Sequence, residues 1–133
     1  MTLAARIKAL AQLGEKLRFL DDAEWQLVME EAKARNGWFT LESQQLALNA
    51  IREDMLDEFK LDQWVKPYEG LASKEPKKIG LILAGNIPAV GFHDVLSCLL
   101  SGHYALIKAS EKDRVLIQHL LKLLVEIEPN FQY

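Results

Sequence analysis

Two apolar runs constrain this chain more than anything else in it. Residues 79–84 read IGLILA and residues 104–107 read YALI, and between them lies a segment that holds Pro88 near its start and Gly102 at its close. An unbroken apolar run bounded by lysines on one side and Gly85-Asn86 on the other predicts a strand buried on both faces. Proline suits the first turn of a helix and glycine suits its end, so residues 88–102 predict a helix. Parallel strands need a crossover of about a dozen residues or more, and such crossovers are right-handed almost without exception, so the economical reading is one βαβ unit. Ligands of open α/β sheets lie outside the carboxyl ends of the strands. That rule points to Gly85-Asn86-Ile87 and to Lys108-Ala109-Ser110-Glu111.

The residues before this unit predict helices. Leu3, Ile7, Leu10, Leu17 and Leu20 share one helical face, with Gly14 weakening the helix by about 1 kcal/mol relative to alanine. Asp21 followed by Glu24 has the form of a capping signal, and Asn36-Gly37 that of a C-cap, so residues 22–35 predict a second helix that buries Trp25, Val28, Met29 and Ala32. Thr40 caps a third, over residues 41–59, with Leu41, Leu48, Ile51, Met55 and Phe59 as core contacts. Residues 62–68 predict a short helical turn stopped by Pro67. The polar stretch that follows, with Gly70 and Pro76, marks the best boundary: a helical region at 1–68, a connector at 69–77 and an α/β region at 78–133. After Ser110, the spacing of Val115, Leu116, Leu120, Leu123, Leu124 and Ile127 predicts a last long helix.

Composition closes off several classes of function. Sixteen basic against nineteen acidic residues leave a net charge of −3, so the basic footprint that nucleic acid or an anionic membrane surface requires is missing. No apolar run reaches the roughly 18 residues of a spanning helix, and the amino terminus lacks the apolar core of a signal peptide. The single cysteine, Cys98, excludes an internal disulfide and fits a reducing cytoplasm. It falls among Val95, Leu96, Leu99 and Leu100, where a thiol is core rather than nucleophile. His93, His103 and His119 lack the spacing of metal ligands, and no metal site is expected.

Four residues at the predicted strand ends could carry chemistry. Asn86 stands between a buried strand and a helix start, where backbone N–H groups favour partial negative charge; an ordinary turn asparagine explains it equally well. Lys108 places an ammonium at the ligand-binding rim, or simply leaves the sheet for solvent. Ser110 with Asp113 has the form of a capping box, which needs no ligand. Glu111 completes the group.

These residues, read together, resemble a known family. AGNIP at 84–88, GFHD at 91–94 and SGH at 101–103 are similar to the amino-terminal part of the LuxC-type acyl-CoA reductases, a branch of the aldehyde dehydrogenase superfamily. Asn86-Ile87-Pro88 resembles the superfamily's Asn-Phe-Pro, and Lys108-Ala109-Ser110-Glu111 its Lys-Pro-Ser-Glu, with alanine replacing the proline. NGWFT at 36–40 extends the resemblance into the helical region. The resemblance implies an α/β fold in which a helical region precedes a βαβα unit of an aldehyde-dehydrogenase-like, Rossmann-like cofactor domain with an incomplete sheet. It also implies that NADPH, or NADH, reduces the fatty acyl group of an acyl-CoA or acyl-protein thioester to an aldehyde. Asn86 would then stabilise the oxyanion, while Lys108, Ser110 and Glu111 would meet the adenosine end of the cofactor. A carboxylate at Glu111 suits an unphosphorylated ribose better than a 2′-phosphate, which leaves NADPH and NADH both open.

Because the superfamily's cysteine nucleophile has no counterpart here, the resemblance implies the amino-terminal third or so of a reductase, inactive alone and inclined to self-associate through open sheet edges. Two other readings stand beside this one: an aldehyde-dehydrogenase-like oxidoreductase with a different substrate, and a non-catalytic nucleotide-binding or interaction module.

Overall fold

A computed structural model describes residues 1–71 and 75–131 of the chain. Helix α1 spans Leu3–Lys16, α2 Ala23–Arg35, α3 Leu41–Ala50 and α4 Glu58–Val65. Strand β1 (Lys78–Ile82), helix α5 (Phe92–Leu100) and strand β2 (Tyr104–Lys108) follow, then helix α6 (Arg114–Ile127). The strands pair in parallel, Lys78 beside Tyr104 through Ile82 beside Lys108, with α5 as the crossover. The protein is thus mixed α/β, with six α-helices and a two-stranded parallel sheet among the described residues.

Local chemistry sets the helix ends. Thr2, Asp22, Thr40 and Asp57 each accept a hydrogen bond from a backbone N–H in the first turn of α1 to α4, satisfying a donor that the helix itself cannot. The cap of α2 is Asp22 and not Asp21, since Asp22 has the extended backbone and the 3.0 Å bond from Trp25 N–H. At the other end of α2, Asn36 is the C-cap that the sequence suggests, its N–H donating to the Ala32 carbonyl, but its backbone is extended rather than left-handed. The end of α5 is built as expected. Gly102 is left-handed (φ +82°), its N–H donates to the Leu99 carbonyl, and the His103 N–H reaches back to that of Cys98.

The expected long third helix is two helices. After α3 the backbone widens into a π-helical turn at Ile51–Met55, closed by the Leu56 N–H on the Ile51 carbonyl, and the chain restarts at Asp57. Leu56 is driven into the core against Gly14 of α1, where an added Cβ would stand only 3.0 Å from that of Leu56. Gly14 thus secures a close helix approach as well as weakening α1. The break turns Phe59 outward, leaving it 71 % exposed instead of a core contact. It also carries the expected turn at 62–68 into α4, which buries Leu61 and Val65.

One apolar core joins the amino-terminal helices to the βαβ unit. Leu10, Leu13 and Leu17 of α1, Met29 of α2, Leu96 of α5 and Leu116, Leu120 and Leu124 of α6 all belong to it. Among the described residues, Arg6, Gln44, Asp113 and His119 are the buried polar exceptions. Arg6 donates to the carbonyls of Met1 (3.1 Å) and Leu71 (3.3 Å), and burial lowers its pKa. His119 meets the Trp25 indole edge-on at 4.6 Å, and its pKa is lowered chiefly by burial, with Glu24 opposing.

The sheet is covered on one face only, contrary to the sequence expectation. Leu81, Ala105 and Ile107 pack against the core and Ile79 is partly buried, whereas Ile82 is 84 % and Leu106 52 % exposed on the other face. An apolar run reports what a strand can bury; whether helices cover both faces depends on the rest of the sheet. The strand also ends at Ile82, two residues before the apolar run does.

Candidate functional site

The turns leaving the two strands are packed against each other. A Cβ on Gly85 would collide with the Ser110 side chain and stand 3.3 Å from the Cβ of Asp113, so glycine is what allows the turn after β1 to lie against the turn after β2. Ser110 Oγ accepts a hydrogen bond from the Lys112 N–H at 3.3 Å and opens a single 3-10 turn, Glu111–Asp113, ahead of α6. This is half of the expected capping box. The other half is not made, because the Asp113 side chain turns inward.

Asp113 is the polar residue here whose surroundings the sequence did not disclose. It is only 2 % exposed, and neither carboxylate oxygen has a hydrogen-bond partner among the described residues. Burial pushes its pKa up to about 7, with the nearby Ala89 backbone pulling the other way. Ala89 itself holds φ +56°, a left-handed conformation strained for any residue with a Cβ. This turn occupies residues that proline led one to place in the helix: α5 begins at Phe92, four residues after Pro88. The Val90 N–H bonds to the Ile87 carbonyl and the Phe92 N–H to that of Ala89, so residues 87–92 are consecutive turns.

An open cleft of about 690 Å³ lies at these carboxyl ends, lined by Arg35, Asn36, Trp38, Asn86, Glu111 and Lys112. It unites two of the four residues singled out from sequence, Asn86 and Glu111, both exposed. Ser110 lies just behind, against Gly85. Lys108 does not line the cleft: it is on the uncovered sheet face with Leu106 and Ile82, and its ammonium makes no hydrogen bond or ion pair to a described residue. The helical region supplies the remaining wall. The Asn36 side-chain amide donates to the Lys112 carbonyl at 3.1 Å, and its oxygen accepts the Trp38 N–H at 3.1 Å, which ties the end of α2 to the turn after β2. Spacing in the sequence could not bring Trp38 to Asn86, although the NGWFT phrase marked the region.

Cys98 is buried inside α5, where desolvation raises its thiol pKa, so it is a core residue. His103 accepts the Lys77 N–H through Nδ1 at 3.2 Å at the opposite end of the sheet. Among the described residues, no helix is long and apolar enough to cross a membrane.

A parallel βαβ unit with a polar cleft at its strand exits defines an α/β protein whose candidate site lies where open sheets of this kind bind ligands. Its relationship is more specific than that. The family model of the LuxC acyl-CoA reductases matches residues 16–132, and the chain belongs to this family. Searches of curated proteins and of solved structures found no match.

Proposed function

We propose that this chain forms part of an enzyme that reduces a fatty acyl thioester, presented as acyl-CoA or on a protein, to the aldehyde. The βαβ unit is assigned to an aldehyde-dehydrogenase-like cofactor domain beginning near residue 78, after the helical region at 1–68 and the connector at 69–77. Its dinucleotide, NADPH or alternatively NADH, would supply the hydride. The nucleophilic cysteine is assigned to a residue outside these 133, since buried Cys98 has neither the access nor the lowered pKa that the role requires.

The residues of this chain would bind and polarise. Asn86 offers a side-chain amide from the turn after β1 to the carbonyl oxygen as it gains negative charge, a contact of a kind that contributes about 3 kcal/mol. Lys108 offers an ammonium to ribose hydroxyls or a 2′-phosphate, and Ser110 and Glu111 offer further polar groups to the same nucleoside. The Lys108 ammonium is exposed and engages no described residue, which leaves it available for that contact beside the cleft. The observation that carries the reading is the convergence of Asn86 and Glu111 on one cleft, in a chain of this family.

In a complete reductase carrying this segment, Asn86→Ala should lower kcat about 100-fold while leaving the KM for cofactor nearly unchanged. An unaltered kcat would overturn the assignment. The 133-residue chain alone should form no aldehyde from a long-chain acyl-CoA and NADPH. Its uncovered sheet face, with Ile82 and Leu106 exposed, and its open strand edges should also drive self-association. A monodisperse monomer in light scattering would contradict that part of the proposal.

A further inference from the structure

The turn that carries Asn86 is fixed at both ends and strained between them. At Gly85 it lies against the Ser110 side chain and Asp113, and at Gly91 it lies against Leu83, where an added Cβ would stand 2.7 Å from that of Leu83. Between these two anchors Ala89 holds φ +56°. Alanine keeps a left-handed backbone only where neighbouring groups over-determine it. The bonds of the turn run from the Val90 N–H to the Ile87 carbonyl and from the Phe92 N–H to that of Ala89, and the Ala89 N–H has no backbone acceptor among the described residues.

The Asp113 carboxyl is the group beside that N–H, and the Ala89 backbone is what favours its ionised form against burial. Nothing local accounts for a carboxyl here. Asp113 stands one residue before α6, where an aspartate ordinarily caps, yet its side chain makes no capping bond, and Ser110 already caps the 3-10 turn. No charged side chain offsets its burial: Glu111, Lys112 and Arg114 beside it in the chain, and His93 and Asp94 at the start of α5, are all exposed. A buried carboxyl without a counter-charge lowers stability, and a cost of that kind is kept where a site needs the group.

We propose that Asp113 is a positioning residue for Asn86: its carboxylate accepts the Ala89 N–H and holds the turn in the strained form that presents the Asn86 amide to the cleft. Neither oxygen reaches hydrogen-bond geometry with a described residue, and a charged acceptor draws an N–H closer than a neutral one, so the contact closes as the carboxyl ionises. Displacing a reacting contact by about 1 Å can cost about 100-fold in rate, so a carboxyl that touches no substrate can still set kcat. The inference rests on the oxyanion role proposed for Asn86.

The test is a double-mutant cycle in a complete reductase carrying this segment. Asp113→Ala should lower kcat about tenfold with the KM for cofactor unchanged. In an Asn86→Ala background the same change should cost nothing further, since the amide it positions is gone. Asp113→Asn keeps an oxygen that can accept the Ala89 N–H and should return kcat to within about threefold of the parent, with thermal melts establishing that both variants fold. A second measurement needs no variant: in the 133-residue chain the Ala89 amide proton should move downfield in NMR spectra as pH rises through about 7. A parent-like kcat for Asp113→Ala, an equal loss in both backgrounds, or an Ala89 resonance that does not follow pH would overturn the inference. Failure of the reductase reading looks different: Asn86→Ala itself then leaves kcat unaltered, while the Ala89 resonance still reports the contact with Asp113.

Discussion

At the amino ends of β1 and β2, the left-handed turn is made by Gly102, with the Arg6 guanidinium pressed against it and His103 accepting the Lys77 N–H. At the carboxyl ends a left-handed turn is made instead by Ala89, beside the buried and unpartnered carboxyl of Asp113. The first end spends its side chains on closure. At the second, the side chains of Asn86, Lys108 and Glu111 are exposed and make no hydrogen bond or ion pair to a described residue, while the strained Ala89 and the buried Asp113 carboxyl lie close by. A conformation that costs little with glycine and roughly 1–2 kcal/mol with alanine persists where surrounding packing over-determines it. Such strain collects at functional sites, and here it falls at the end that carries the candidate site.

The contrast can be broken most severely at the closed end. Gly102→Val puts a β-branched side chain at φ +82° and into the Arg6 guanidinium, and should cost roughly 3–4 kcal/mol in denaturant unfolding. Next comes Asp113→Asn at the open end. With a folded pKa of about 7, above its ordinary value, the buried acid keeps its proton while the unfolded chain gives one up. This group therefore costs nothing below about pH 4, destabilises progressively as pH rises toward 7, and levels off above that. The asparagine variant should nearly match the parent at pH 4 and exceed it by roughly 3 kcal/mol at pH 7.5, a difference that melts at several pH values will measure. Ala89→Gly, which relieves the left-handed turn, should stabilise by about 1 kcal/mol, whereas an alanine strained only in appearance would show a loss. The smallest effect belongs to Asn86→Ala and Lys108→Ala, each within about 0.5 kcal/mol of the parent; a larger loss would mean that these exposed groups have structural work after all.

Much of the fold was legible residue by residue. The apolar runs, Gly102 and the parallel pairing agree with the sequence reading, and Thr40 caps a helix because a short oxygen-bearing side chain before an amphipathic stretch has few other uses, whereas the cap of α2 falls one residue after the Asp21 that the sequence suggested. The failures share a cause. The run at 41–59 has continuous helical periodicity, yet packing of Leu56 against Gly14 breaks it. Ser110 and Asp113 carry capping-box spacing, yet the carboxyl is drawn under the Gly85 turn. Pro88 looks like a helix start, but the chain first passes through the Ala89 turn. Of the candidate site, Asn86 and Glu111 could be named in advance from the strand ends, while Trp38 and Arg35 could not, since their place beside Asn86 comes from the hydrogen bond between Asn36 and the Lys112 carbonyl.

The order of helices and strands and the chemical character of the strand exits were therefore written in the sequence, because periodicity, caps and breakers act over a few neighbouring bonds. Tertiary structure alone decided which face of the sheet is covered, which carboxyl is buried without a partner, and which residues of the helical region meet the turn after β1. Those outcomes depend on contacts between segments far apart in the chain, and their energies exist only once the core has assembled around them.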